Sequence, residues 1–201
     1  MSIGVISMRG LATVAGAVAV VFSVSSGVAH GDGDEAKIRW DIQHYPGFIL
    51  QPGGEAFADA ADFSKIRFTG SGTFMADGEG VKGGGTWKTF SKSGTQTGSG
   101  SYRVVNLVSW NVAPGTLPCP PITDDIAPCA DARAGLAVLQ IQYSDGGLGK
   151  LVVSCRLPIG SSPSTYEGIT VSKGFVDYFM PENPDLTMNG TIFHVLHGDD
   201  N

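Results

Sequence analysis

The sequence predicts an all-β protein: a single antiparallel β-barrel of roughly nine or ten strands, with a β-sandwich as the alternative. Three observations predict it. Apolar residues alternate with polar ones at period two in most of the patterned stretches. Clusters among the 29 glycines punctuate those stretches, several just before an aromatic residue. No stretch longer than about eight residues keeps an apolar repeat of 3.6 residues, as a packed helix would need.

The chain of 201 residues has the length of one domain. Its 42% hydrophobic and 16% charged residues exclude a disordered chain. The formal net charge of −6 argues against nucleic acid as a partner, because phosphate contacts need clustered Lys and Arg. Residues 1–29 have the composition of a signal peptide. Arg9 is the sole charge, the apolar run 11–22 is short for a membrane span, and Gly27-Val28-Ala29 supplies a small-x-small cleavage site. Cleavage there leaves 30–201 as one β domain with short flexible ends, a secreted protein (extracellular or periplasmic) with no membrane segment and a net charge of −7.

The strands follow in order. Ile38, Trp40 and Ile42 alternate with Arg39, Asp41 and Gln43, and 55–59 and 65–69 continue the pattern. Phe68-Thr-Gly-Ser-Gly-Thr-Phe74, Gly83-Gly-Gly-Thr-Trp87 and Gly98-Ser-Gly-Ser-Tyr102 echo one another as glycine, small residue and aromatic. Such glycines bend strands and leave room for a ring, which favours a barrel over a flat sandwich. Gly83–Gly85 and 91–101 are expected as turns around a strand at 86–90. Residues 102–112 carry apolar side chains on both parities, the mark of a strand covered on both faces. After Pro128 a short helix is expected near 130–134. Residues 135–157 form the clearest unit, a hairpin. Ala137, Leu139, Ile141 and Tyr143 share one face, Ser144-Asp-Gly-Gly147 turns, and Leu151, Val153, Cys155 and Leu157 return. Strands at 166–171, 175–179 and 191–196 complete the set.

The same stretches carry a resemblance: RWDI at 39–42, KIRFTGSGTF at 65–74, GGGTW at 83–87, ADARAGLAVL at 130–139 and YEGITVSKGFVDY at 166–178. They resemble a family of small secreted bacterial all-β proteins without an established function. The glycine–hydroxyl–aromatic strands are also loosely similar to allene-oxide-cyclase-like barrels, a similarity that implies a cavity but carries no catalytic residue across.

Export permits disulfides, and Cys119 and Cys129 bracket a proline-rich loop that a bridge would staple. Cys155 is left as a buried, inert thiol. No phosphate loop, serine elbow or zinc spacing is legible. Glu167 and Asp177 read as solvent-facing acids, and Asn189-Gly-Thr191 as a turn. The metal candidates are the histidines. His30 would begin the mature chain and offer its amine and ring to copper, with His44 or His194 as second ligand. His194 and His197 lie three apart on a strand and face opposite ways, so they cannot share one ion.

The leading functional expectation is therefore non-catalytic binding of a small-molecule or glycan ligand, in a β cavity or on a face bearing Trp40, Trp87, Tyr102 and Trp110. The alternative is an enzyme, either a cyclase- or isomerase-like barrel or a copper oxidase built on His30. No cofactor is identifiable from the sequence.

Overall fold

The computed structural model describes residues 36–183 and 188–197. The signal-peptide reading and His30 lie outside the described residues.

Within them the chain is all-β, with fourteen strands: β1 Lys37–His44, β2 Ile49–Pro52, β3 Ala56–Asp59, β4 Lys65–Phe68, β5 Ser71–Met75, β6 Lys82–Phe90, β7 Gln96–Ala113, β8 Thr123–Asp124, β9 Ala132–Tyr143, β10 Leu148–Cys155, β11 Gly168–Lys173, β12 Val176–Tyr178, β13 Met180–Pro181 and β14 Gly190–Leu196. Six of them close an antiparallel barrel in the order β1-β5-β6-β7-β9-β14, and β14 returns to β1 along the register from Lys37↔Leu196 to Gln43↔Gly190. Closure removes the exposed sheet edges that an open sheet would present. Two wings extend the barrel. β10, β11 and β12 continue from β9, while β4, β3 and β13 continue from β6. The wings meet, because β12 and β13 are separated only by Phe179.

Alternation sets the interior. On β9, Ala137, Leu139, Ile141 and Tyr143 are buried, and Leu151 and Val153 of β10 join them, with Leu157 just beyond its end. The expected hairpin is present, with Leu148↔Gln142 through Cys155↔Gly135 paired and Gly146 at φ 89° in the turn. Two aromatic groups fill the interior. Trp110 contacts Phe74 and Phe193, with ring centroids 5.6 and 4.5 Å away. Phe68 meets Tyr102 at 4.7 Å, and Trp87 meets Tyr143 at 5.8 Å.

The glycine–aromatic pattern works between strands rather than along one. A side chain on Gly100 would collide with the Trp87 ring at 3.0 Å, and one on Gly72 with Trp40 Nε1 at 2.7 Å. Each ring lies over a glycine of the neighbouring strand, which fills the gap the glycine leaves.

Four local expectations are corrected. Gly83–Gly85 is strand, not turn: it lies where β6 exchanges its partner β5 for β4. The turn at 91–101 shortens to 91–95, closed by Ser91 N–H to Thr95 O at 2.8 Å, since β7 already pairs from Gln96. The two apolar parities of 102–112 do not mean double coverage. The register shift at Val104/Asn106 moves the inward parity to Leu107 and leaves Val108 exposed, and the shift at Leu107/Ser109 moves it back for Trp110. The helix near 130–134 is a single 3₁₀ turn, Cys129–Asp131; five residues cannot repay helix nucleation when Ala132 already enters the β9 ladder.

Candidate functional site

Between β7 and β9 the chain leaves the barrel and folds back over the ends of β1, β2 and β14. The Cys119–Cys129 disulfide closes this excursion, with Cα atoms 6.3 Å apart, as the cysteine spacing led us to expect. Asp124 pins it down. One carboxylate oxygen accepts backbone N–H bonds from Ile126 and Ala127 at 2.9 and 3.3 Å. The other lies 2.9 Å from His194 Nε2, and both side chains are fully buried. β8 adds a short parallel pairing with β2. His197 Nε2, 2.9 Å from Asp131, ties the end of β14 to the same excursion.

The C-terminal histidines thus clamp a loop. His194 is engaged by Asp124, and among the described residues no group of three or more His, Cys, Asp or Glu could hold a metal ion. His44 stands five positions along β1 from Arg39, the residue opposite His194, a span of about 16 Å along a strand. That distance keeps the two imidazoles from sharing an ion. Beside this pair, buried Asp41 accepts two bonds from Arg39, at 2.7 and 2.9 Å. This contact holds the guanidinium more firmly protonated, and Asp124 adds to the effect.

The four expected binding aromatics do not form a platform. Trp40 is 0% exposed, Trp87 and Tyr102 are buried, and Trp110 is partly buried against the core. Trp87 Nε1–H and Tyr102 O–H donate to the carbonyls of Ser101 and Thr69, so their polar tips are already used. Large rings gain most from burial, and the barrel interior claims them.

The candidate site lies beneath the disulfide-clasped loop. A cavity of about 350 Å³ has Leu50, Leu117, Ile122, Leu157 and Ile192 on its apolar walls, and its polar side chains include Gln43, Tyr45, Arg156, Glu167 and Thr191. Backbone register brings two of these together. Gln43 pairs with Gly190 across β1 and β14, and its amide lies so close that a Cβ on Gly190 would meet Nε2 at 2.3 Å. Glu167 reaches the next residue, accepting the Thr191 N–H on one oxygen and the Arg156 N–H on the other. Gln43 Oε1 is buried and has no hydrogen-bond partner among the described residues.

Glu167 is not the solvent-facing acid that the sequence suggested. Its carboxyl end is packed among neighbours, and the loss of hydration pushes its pKa up to about 8 despite the two backbone donors, the Thr191 hydroxyl and the nearby Arg156. The Thr191 hydroxyl also lies 2.6 Å from Ser154 O and 3.1 Å from Glu167 Oε1. Arg156 is exposed at the cavity mouth, and among the described residues no carboxylate forms an ion pair with it.

A larger groove of about 670 Å³ crosses the outer face of β10 and β11 beside Val108, Leu148 and Phe175. Among the described residues it holds no buried side-chain polar atom without a partner, so its size alone does not make it the better site. Nothing in the sequence singled out Gln43 or Arg156: they carry no motif, and only the register of β1 on β14 and the end of β10 assemble them.

Cys155 lies at the cavity floor, buried, and burial raises its thiol well above the usual range. Intact-mass labelling of the native protein with a maleimide is expected to leave it unmodified, with one adduct appearing only on denaturation. Rapid native labelling would refute its placement.

No family model, curated protein or solved structure matches this chain.

Proposed function

We propose that the protein is an exported, non-catalytic binding module whose cavity takes a compact, mainly apolar molecule bearing a hydrogen-bond donor. The observation that carries this reading is Gln43 Oε1, a buried acceptor without a partner among the described residues, in a cavity with mainly apolar walls. An unsatisfied buried acceptor costs about 1–3 kcal/mol, which a donor on the ligand would recover. A few placed polar atoms within apolar walls are the usual composition of small-molecule sites. The apolar lining favours such a molecule over a glycan, which would need exposed rings to stack on. The disulfide is compatible with export.

N-phenyl-1-naphthylamine is a suitable probe, being uncharged and apolar with one N–H donor. Its fluorescence is expected to rise saturably on titration with the wild-type protein. Leu117→Trp, which fills the cavity from the clasped loop, is expected to abolish the rise without lowering thermal stability. An unchanged response in that variant would place binding elsewhere, and no response in the wild type would remove the reading.

A further inference from the structure

Arg156 has a place in this site that the uncharged probe does not use. It follows the end of β10, exposed at the rim of the apolar cavity, and shares a second, more polar recess of about 480 Å³ with Glu167 and Glu182. The recesses have Arg156, Leu157, Pro158 and Glu167 in common, so the apolar cavity opens toward this polar vestibule past the guanidinium.

We propose that the ligand of this site is a compact, mainly apolar monocarboxylate, its body in the cavity beneath the clasped loop with its hydrogen-bond donor on Gln43 Oε1, and its carboxylate held by Arg156 at the rim. This rests on the binding reading above and adds the charge of the ligand. A guanidinium presents a planar fork of donors that matches a carboxylate with two parallel bonds. A dianionic phosphate would need further cations, and among the described residues no second Lys or Arg lines either recess.

The neighbouring acid makes the arrangement dependent on pH. While Glu167 keeps its proton, the charge of Arg156 is available to a ligand. Once Glu167 ionises, its carboxylate competes for the guanidinium and repels an anion. The other titratable groups facing Glu167 are few: Arg156 and Cys155 at the end of β10, Tyr45 after β1, and Tyr166 and Glu182 in the vestibule. The β14 wall contributes Gly190, Thr191 and Ile192, and the clasped loop Leu117 and Ile122, none of which titrates. Glu167 itself changes charge between pH 6.5 and 9.

The test is calorimetric titration of the full chain with 6-amino-2-naphthoate and with 6-amino-2-naphthamide, which has the same body and ring donor without the charge. At pH 6.5 naphthoate is expected to bind roughly tenfold more tightly than the amide, and Arg156→Gln to remove that advantage while leaving amide binding intact. At pH 9 the wild type is expected to lose most of its preference, and Glu167→Gln to keep it. Arg156 is exposed and forms no ion pair among the described residues, so its variant should fold normally. Equal binding of the two ligands, insensitive to Arg156→Gln, would overturn the carboxylate assignment while leaving the binding reading in place. Failure of both ligands, together with failure of the uncharged probe, would overturn both.

Discussion

Wild-type stability is expected to fall as pH rises from about 5 to 8, and Glu167→Gln to remove most of that dependence. The sign follows from proton binding. In the folded protein Glu167 holds its proton up to about pH 8, whereas in the unfolded chain it ionises near its ordinary value of 4.5. Between those values unfolding releases a proton, so stability is fully present below 4.5 and is lost as pH rises toward 8. The slope is about 1.4 kcal/mol per pH unit, and the whole window amounts to roughly 3–5 kcal/mol. Gln cannot ionise, but its NH₂ cannot accept both backbone N–H groups that Glu167 serves. The variant should therefore start about 1–3 kcal/mol less stable at pH 5 and overtake the wild type between about pH 6 and 7. Urea unfolding of both proteins at half-unit intervals would show the crossing. Parallel curves would mean that Glu167 is ionised in the folded protein, and would remove the pH dependence proposed for ligand binding.

Asp124→Ala is expected to cost about 3–5 kcal/mol, because it leaves His194 buried without its counterpart and strips two backbone N–H groups of their acceptor. In a domain of this size that corresponds to a drop of roughly 10 °C in Tm. The neighbouring Asp125→Ala removes only an exposed contact with Gln51 and should stay within about 0.5 kcal/mol. The first change should also weaken probe binding, since Leu117 and Ile122 stand on the same clasped loop. If the two variants behave alike, the His194–Asp124 contact does not anchor the loop.

The strands were largely legible because each half-buried strand writes its own period into the chain. Ile38-Trp40-Ile42 and the 135–157 hairpin show it most plainly. The cysteine pair was legible for a similar local reason, the closure of a short proline-rich loop. Where inward parity shifts, as at the two irregularities of β7, the same alternation misleads, because a single extra residue reverses every side chain beyond it. Glycine runs mislead too: Gly83–Gly85 reads as a turn in isolation and becomes strand because β5 and β7 pair with it.

The candidate site was legible least. Trp40, Trp87, Tyr102 and Trp110 stand out by their chemistry, yet large rings are what a closed barrel needs for its interior. Gln43, Arg156 and Glu167 stand out by nothing, and they come from β1, the end of β10 and the approach to β11, as many as 124 positions apart in the chain. Local pattern determined that this protein is all-β, where most of its strands run and which cysteines join. Barrel closure decided the rest. It set β14 against β1, placed Gln43 over Gly190 and Glu167 against Thr191, and took enough water from that carboxyl to raise its pKa; hydration and long-range register are properties of the folded assembly, and no short stretch of sequence encodes them.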